Sequence, residues 1–318
     1  MYSGGKASFA VADYVKERHP NDNIVLHFTD TEWEDADLYR FLYEGADKLQ
    51  LPLHKLSKGL DPMQLMFEKR VVFNSRIGLC SIELKAKVSS DYIREGIEPP
   101  ISEWYNKKFL KDEDYTKGAV LYYGIDWTEA HREKGIKRNW EDCEVEMPLI
   151  DNHIDADEVL AKYNIKQPRL YDFGFQHNNC LGRCVKAGIG HFKNLYEKMP
   201  KVFRDTADRE HHIAAFVDLW LGVKRDESLS EDERKESQEE LDACYRDYFY
   251  YRADAPKPFT KHDGEGKTYA FMRKQKDGVR FAYPILELEK ELASNEQLSL
   301  DDVLDIGGCG CGVDLQEE

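Results

Sequence analysis

Apolar residues along the first half of the chain fall into two alternating rhythms. Phe9, Val11, Ala12 and Val15 recur at helical spacing, predicting a helix over Phe9–His19 that stops before Pro20. The run "NIVLHFT", Asn23–Thr29, is short and apolar and reads as a buried strand. Leu38, Phe41, Leu42 and Ala46 return to helical spacing over Asp35–Leu49, and Leu53–Leu56 is a second strand. Further on, "AVLYY", Ala119–Tyr123, reads as a third strand before helical Glu129–Lys134. "EVEMPLI", Glu144–Ile150, reads as a fourth before helical Ala156–Tyr163. Strands alternating with helices predict βαβ units, a mostly parallel sheet and helices on both faces. A ligand of such a sheet sits at the carboxyl ends of its strands.

Beyond Cys184 the rhythm changes. Lys186–Lys198 and Val202–Leu221 have helical spacing, and "YRDYFYY", Tyr245–Tyr251, is an aromatic cluster that reads as packing. Residues 259–267 form a polar loop, and Leu298–Leu304 is a short helix before the tail "GGCGCG". The chain thus divides into an α/β domain over residues 1–198 and a mainly helical region over 199–318 that carries the Cys-Gly-Cys tail.

Composition narrows the function classes. With 318 residues, 41% hydrophobic and 12% aromatic, the chain can bury a sizeable core. No apolar run approaches the roughly 18 residues a bilayer span needs, and no secretory pattern opens the chain, so a cytoplasmic protein away from membranes is expected. Seven cysteines in a reducing compartment argue for metal ligation or catalysis before disulfides. The net charge of −16 disfavours nonspecific duplex binding. It is uneven: Arg225–Glu240 holds eight acids against three bases, whereas Lys69–Lys111 holds nine bases against five acids.

Several stretches carry candidate chemistry. In "MYSGGKAS", Gly4 and Gly5 let backbone N–H groups converge on an anion, and the helix that follows adds its N-terminal partial charge. Ser3, Lys6 and Ser8 add hydroxyl and ammonium donors, although the spacing is not that of a Walker loop. In "HFTDTEWEDADLYRFL", Asp30, Thr31 and Glu32 close a strand where a ribose, base or metal would lie, with helix capping by Thr31 or Asp35 the equal alternative. "NSRIGLCSIELK" combines Arg76, Cys80 and Lys85, and "YYGIDWTEAHR" ends a strand at Gly124–Asp126, with Glu129 and Arg132 three apart on a helix. "GFQHNNCLGRCVKAGIGH" sets His177 and His191 around Cys180 and Cys184. Zinc and iron–sulfur clusters usually take four ligands. Cys80, Cys180, Cys184, Cys309 and Cys311 offer such a set without any C-x-x-C pair, whereas Cys143 and Cys244 read as small buried apolar residues.

Taken in order, these stretches resemble the phosphoadenosine phosphosulfate reductase-like branch of the PP-loop ATP pyrophosphatases, the adenine nucleotide α-hydrolases. "YSGGKAS" is similar to the family's pyrophosphate loop, "FTDTEWEDADLYRFL" to its second-strand segment, "CSIELK" to the cysteine and basic residue of the reductases, and "NNCLGRCVKAG" to the later cysteine pair. The tail "GGCGCG" resembles a terminal motif of some members. The resemblance implies a flavodoxin-like sheet of about five parallel strands with adenine nucleotide across the strand ends. Ser3, Gly4, Gly5, Lys6 and Ser8 would hold phosphates, Asp30, Thr31 and Gly124 would border the nucleotide, and Arg76 and Lys85 would neutralise anionic groups. Lys6, Asp126 and Arg132 would serve catalysis with ATP and Mg2+.

Three departures bear on the chemistry. Ala7 stands where many pyrophosphatases have Asp, the tail replaces the reductases' Glu-Cys-Gly-Leu, and their tandem Cys-Cys is Cys80-Ser81. The family also places a buried strand before the loop, of which the sequence holds Met1 and Tyr2. The leading expectation is cleavage or transfer at the α-phosphate of ATP or an adenylyl nucleotide, in sulfur transfer to a small metabolite, nucleic acid or protein. One alternative is a thiol-dependent sulfonucleotide reductase working through Cys309 or Cys311. The other is a nucleotide-binding subunit without turnover.

Overall fold

The computed structural model describes residues 1–252, 269–294 and 298–307. The fold is mixed α/β, 55% helix, with small sheets that are partly parallel. It divides into two compact units. The first comprises Met1–Leu60 and Leu79–Gly182, and the second comprises Asp61–Gly78 and the described residues from Arg183 onward.

In the first unit, helix α1 (Lys6–Arg18) leads to strand β1 (Leu26–Asp30), helix α2 (Ala36–Leu49) and strand β2 (Leu53–Ser57). β1 and β2 pair in parallel, Leu26 opposite Leu53 and Asp30 opposite Ser57. Strand β3 (Ile101–Tyr105) runs antiparallel along the other edge of β2. Strands β4 (Val120–Tyr122) and β5 (Glu144–Glu146) form a separate parallel pair. All five β1 residues are buried, as an apolar run covered on both faces should be. On one face Leu26 and Phe28 join Phe9, Leu38, Phe41 and Leu42 in a core, with the Phe9 and Phe41 rings edge-on at 5.6 Å. Each such side chain contributes about 1.5–3 kcal/mol by leaving water. The other face is polar but closed. His27 lies opposite His54 in register, and the His54 ring stacks on Trp104 at 4.1 Å. Its two nitrogens meet Tyr115 Oη at 2.8 Å and Ser102 Oγ at 2.9 Å.

Met1 and Tyr2 join the two sheets. The Met1 nitrogen donates to Tyr122 O at 2.7 Å and Tyr2 N–H donates to His27 O at 2.8 Å. These two residues therefore bond to β4 on one side and β1 on the other. A cavity of about 460 Å³ lies beside them, lined by Val11, Val15, Leu26, His27 and Leu121 among others.

Several elements differ from the sequence reading. α1 begins at Lys6, three residues before the predicted start, so its first turn grows directly out of the glycines. The expected strand Glu144–Ile150 stops at Glu146, because Pro148 lacks the N–H a strand needs and opens a short helix, Pro148–Asp151. Trp127–Arg132 is 3-10 and α-helix follows only at Glu133–Asn139.

The second unit is mainly helical. Asp61 caps helix Pro62–Lys69 in a capping box with Gln64, and Ser230 and Glu233 do the same for helix Glu231–Tyr251. Helix Pro200–Arg225 supplies Phe216, whose ring meets Phe67, Tyr245 and Phe249. Tyr245, Tyr248 and Phe249 are buried, so most of the aromatic cluster packs. Cys244, expected inside, is exposed. A hairpin of β6 (Met272–Lys276) and β7 (Val279–Tyr283) turns at Asp277 and Gly278, whose φ values of 51° and 78° suit a two-residue turn. Glu210, buried in the Pro200–Arg225 helix, accepts from Phe271 N–H at 2.7 Å and Ile285 N–H at 2.6 Å. Gly188 and Gly190 lie against residues 303–305. A Cβ would come within 2.2 Å of Asp305 O at Gly188 and within 2.1 Å of Val303 O at Gly190. Their role is close packing, and it brings Gly307 into a bridge with Ala187. The polar loop at 259–267, and Cys309 and Cys311, lie outside the described residues.

Candidate anion cradle at the start of helix α1

Ser3–Ser8 folds into a tight turn over the N-terminus of α1. Gly4 has φ +74°, and a Cβ there would come within 2.9 Å of the Leu38 side chain, so the position calls for glycine twice over. Gly5 caps the helix without any side-chain hydrogen bond. Ser8 locks the turn: its Oγ donates to Gly5 O at 2.8 Å and accepts from Ser3 N–H at 3.2 Å. Gly124, at the end of the β4 strand, presses its backbone against the same turn; a Cβ there would stand 2.7 Å from Ser8 N. Helix starts leave N–H donors unspent and carry positive partial charge, which together favour an anion. α1 has no acid in its first turn to compete.

Three residues that the sequence reading did not single out complete the turn. Asn178, 2% exposed, donates from Nδ2 to Gly4 O at 2.9 Å. Asp157 takes the Lys6 ammonium at 2.9 Å. The Tyr171 ring lies 5.4 Å from Lys6 Nζ, and its hydroxyl stands 3.0 Å from where a Gly5 Cβ would be. No spacing rule links positions 157, 171 and 178 to the loop; only the tertiary fold does.

The strand-end acids form a second, adjoining cluster. Asp30 is 1% exposed and fully engaged: it accepts from Tyr39 Oη at 2.8 and 2.9 Å and from Glu32 N–H at 2.9 Å. Burial raises its pKa, against these hydrogen bonds. Thr31 Oγ1 donates to Glu34 at 3.0 Å, and Lys85 reaches the same carboxylate at 3.3 Å. Burial alone would lower the Lys85 pKa, but Glu34, with Cys180 and Cys80 nearby, outweighs it and holds the ammonium above its usual value. Glu34 also accepts the Cys180 N–H. Residues 178–180 thus tie the glycine loop to the Glu34–Lys85 pair. Cys180 and Leu181 hold φ of 57° and 51°, and Gly182 follows at 68°. Left-handed backbone at two successive side-chain-bearing residues is costly, of order 1–3 kcal/mol each, and such strain clusters at functional sites.

The remaining candidates have other partners or settings. Asp35 caps α2 through Asp37 N–H at 2.7 Å and takes Arg169 at 2.9 Å, so the capping role of this stretch falls to it. Asp126 caps the 3-10 turn through Thr128 N–H at 2.8 Å, and Arg132 pairs with Glu129. Cys80 is half-buried just before a π-helical turn over Ile82–Ala86. Arg76 and Cys184 belong to the second unit, Arg76 in an exposed turn closed by Asn74 Oδ1 at 2.9 Å. Among the described residues no group of three or more His, Cys, Asp or Glu is arranged to hold a metal ion. No described helix is long and apolar enough to cross a membrane. No family model, curated protein or solved structure matches the chain.

Proposed function

We propose that the chain is an adenine-nucleotide-binding protein of the PP-loop kind, acting at the α-phosphate of ATP or an adenylyl nucleotide in the cytoplasm. One observation carries the reading: Ser3–Ser8 forms a glycine turn into α1 whose N-cap, Gly5, brings no side chain, with Gly4 at φ +74° and Gly124 pressed onto Ser8. Backbone N–H groups of this turn would take phosphate oxygens, and Lys6, 31% exposed at its side chain, would turn from Asp157 to the ligand. The bonds of Met1 and Tyr2 to β1 and β4 support a flavodoxin-like reading, in which both small sheets belong to one layer with the cradle at its carboxyl edge.

Magnesium suits the nucleotide better than the loop. Position 7 is Ala7, and both Asp30 oxygens are already hydrogen-bonded. The ion would ride on the substrate's own phosphates, where it neutralises charge as pyrophosphate leaves. Two of the five cysteines proposed as cluster or zinc ligands, Cys309 and Cys311, lie outside the described residues, and no step is assigned to such a group. Calorimetric titration with ATP, coupled to a pyrophosphate-release assay, tests the proposal. Binding that Ser8→Ala weakens supports it, and binding indifferent to that change removes the cradle from the account.

A further inference from the structure

We infer that Tyr171 sets which anions enter the cradle, its hydroxyl standing where a phosphate oxygen would be bound. This rests on reading Ser3–Ser8 as a phosphate cradle. The hydroxyl stands at the helix start, 3.0 Å from where a Gly5 Cβ would be, beside the Lys6 N–H that an anion would use. The ring also lies within cation–π range of the Lys6 ammonium, at 5.4 Å. The side chain that fills the cradle is therefore bound by the same residue that would hold the ligand.

The backbone behind Tyr171 is tied down. Arg169 N–H donates to Asp37 Oδ2 at 2.8 Å, its guanidinium takes Asp35 at 2.9 Å, and Arg40 donates to the Lys166 carbonyl at 3.1 Å. Clearing the cradle thus falls to rotation of the Tyr171 side chain. A phenol oxygen is a neutral acceptor. A phosphate oxygen is charged and makes the stronger bond to the same N–H, further favoured by the helix start. A polyphosphate displaces the hydroxyl, whereas a weakly charged ligand does not. Burial keeps the phenol protonated, its pKa pushed up to about 12. The hydroxyl therefore adds no negative charge against an incoming phosphate.

The test is calorimetric titration of the full chain with inorganic pyrophosphate and with ATP, in wild type, Tyr171→Phe and Tyr171→Leu. Phe keeps the ring beside Lys6 and deletes only the competing oxygen. It should tighten both ligands about fivefold, the worth of one net hydrogen bond. Leu, which removes the cation–π contact as well, should also bind more tightly than wild type, and it serves if Phe fails to fold. Equal or weaker binding by the folded variants, with wild type binding, overturns the Tyr171 inference and leaves the cradle standing. No binding by any of the three at millimolar ligand overturns the cradle reading and this inference with it.

Discussion

Asn178 donates its side-chain amide to the Gly4 carbonyl at 2.9 Å, across 174 positions of sequence. The bond fixes the glycine loop from outside, and two residues later Cys180 N–H binds Glu34. Asn178→Ala would leave the Gly4 carbonyl unpaired in a buried place and should cost about 1–3 kcal/mol. Urea unfolding measures that loss, and ATP titration should show weaker binding in the same variant.

Gly124 carries a steric prediction. Gly124→Ala places a Cβ 2.7 Å from the Ser8 nitrogen, an approach backbone cannot tolerate without moving. Overpacking of this kind costs about 1–3 kcal/mol, and here the displaced atoms belong to the cradle itself. Nucleotide affinity should fall more than global stability, as comparison of ATP titration with thermal unfolding will show.

Lys85 and Glu34 predict strong coupling. The Glu34 side chain is fully enclosed and that of Lys85 is 15% exposed. Removing one partner of a buried pair costs about 3–5 kcal/mol, whereas replacing both costs far less. Lys85→Met should therefore be severely destabilising, and Lys85→Met combined with Glu34→Gln should recover most of the loss. A double-mutant cycle by denaturant unfolding reads the coupling directly.

The pH dependence of stability has two opposing sources. Burial holds His27 down at about 3 and His54 at about 4, against 6.5 unfolded. The unfolded chain then gains protons the fold does not, so stability is lost as pH falls from 6.5 towards 4. Burial pushes Glu210 up to about 8 against 4.5 unfolded, so its effect is the reverse: stability declines as pH rises from 4.5 to 8. Two histidines outweigh one carboxyl below 6.5; above it the Met1 ammonium, which burial holds down at about 5 against 8.0 unfolded, opposes the carboxyl. These groups together make stability rise up to about pH 6.5 and leave it nearly level from there to pH 8. Glu210→Gln removes the carboxyl's opposing effect, so stability of the variant should rise between pH 6.5 and 8, as urea unfolding across that range will show.

Much of this was written locally in the sequence. The period of Leu38, Phe41, Leu42 and Ala46 marked α2, and "NIVLHFT" contained most of β1. Ser3–Ser8 was legible as a candidate cradle because glycines, serines and a helix start are neighbours in the chain. β3 has no local signature because it is only half-buried and lacks an apolar run. Pro148 was a signal passed over: it cut the fourth strand short. Tyr171, Asn178 and Asp157 had no local signature, since each reaches the loop only through tertiary folding. Gly188 and Gly190 are demanded by the approach of residues 303–305, which no local pattern announces.

The central claim is that the start of α1 binds the phosphates of an adenine nucleotide. Titration of ATP against wild type and Lys6→Ala, followed by calorimetry, tests it most directly. The account predicts saturable one-to-one binding by wild type and an affinity at least roughly tenfold weaker in the variant, the loss of one charge-assisted contact. Saturable binding of equal strength in both, or none in wild type, would contradict it.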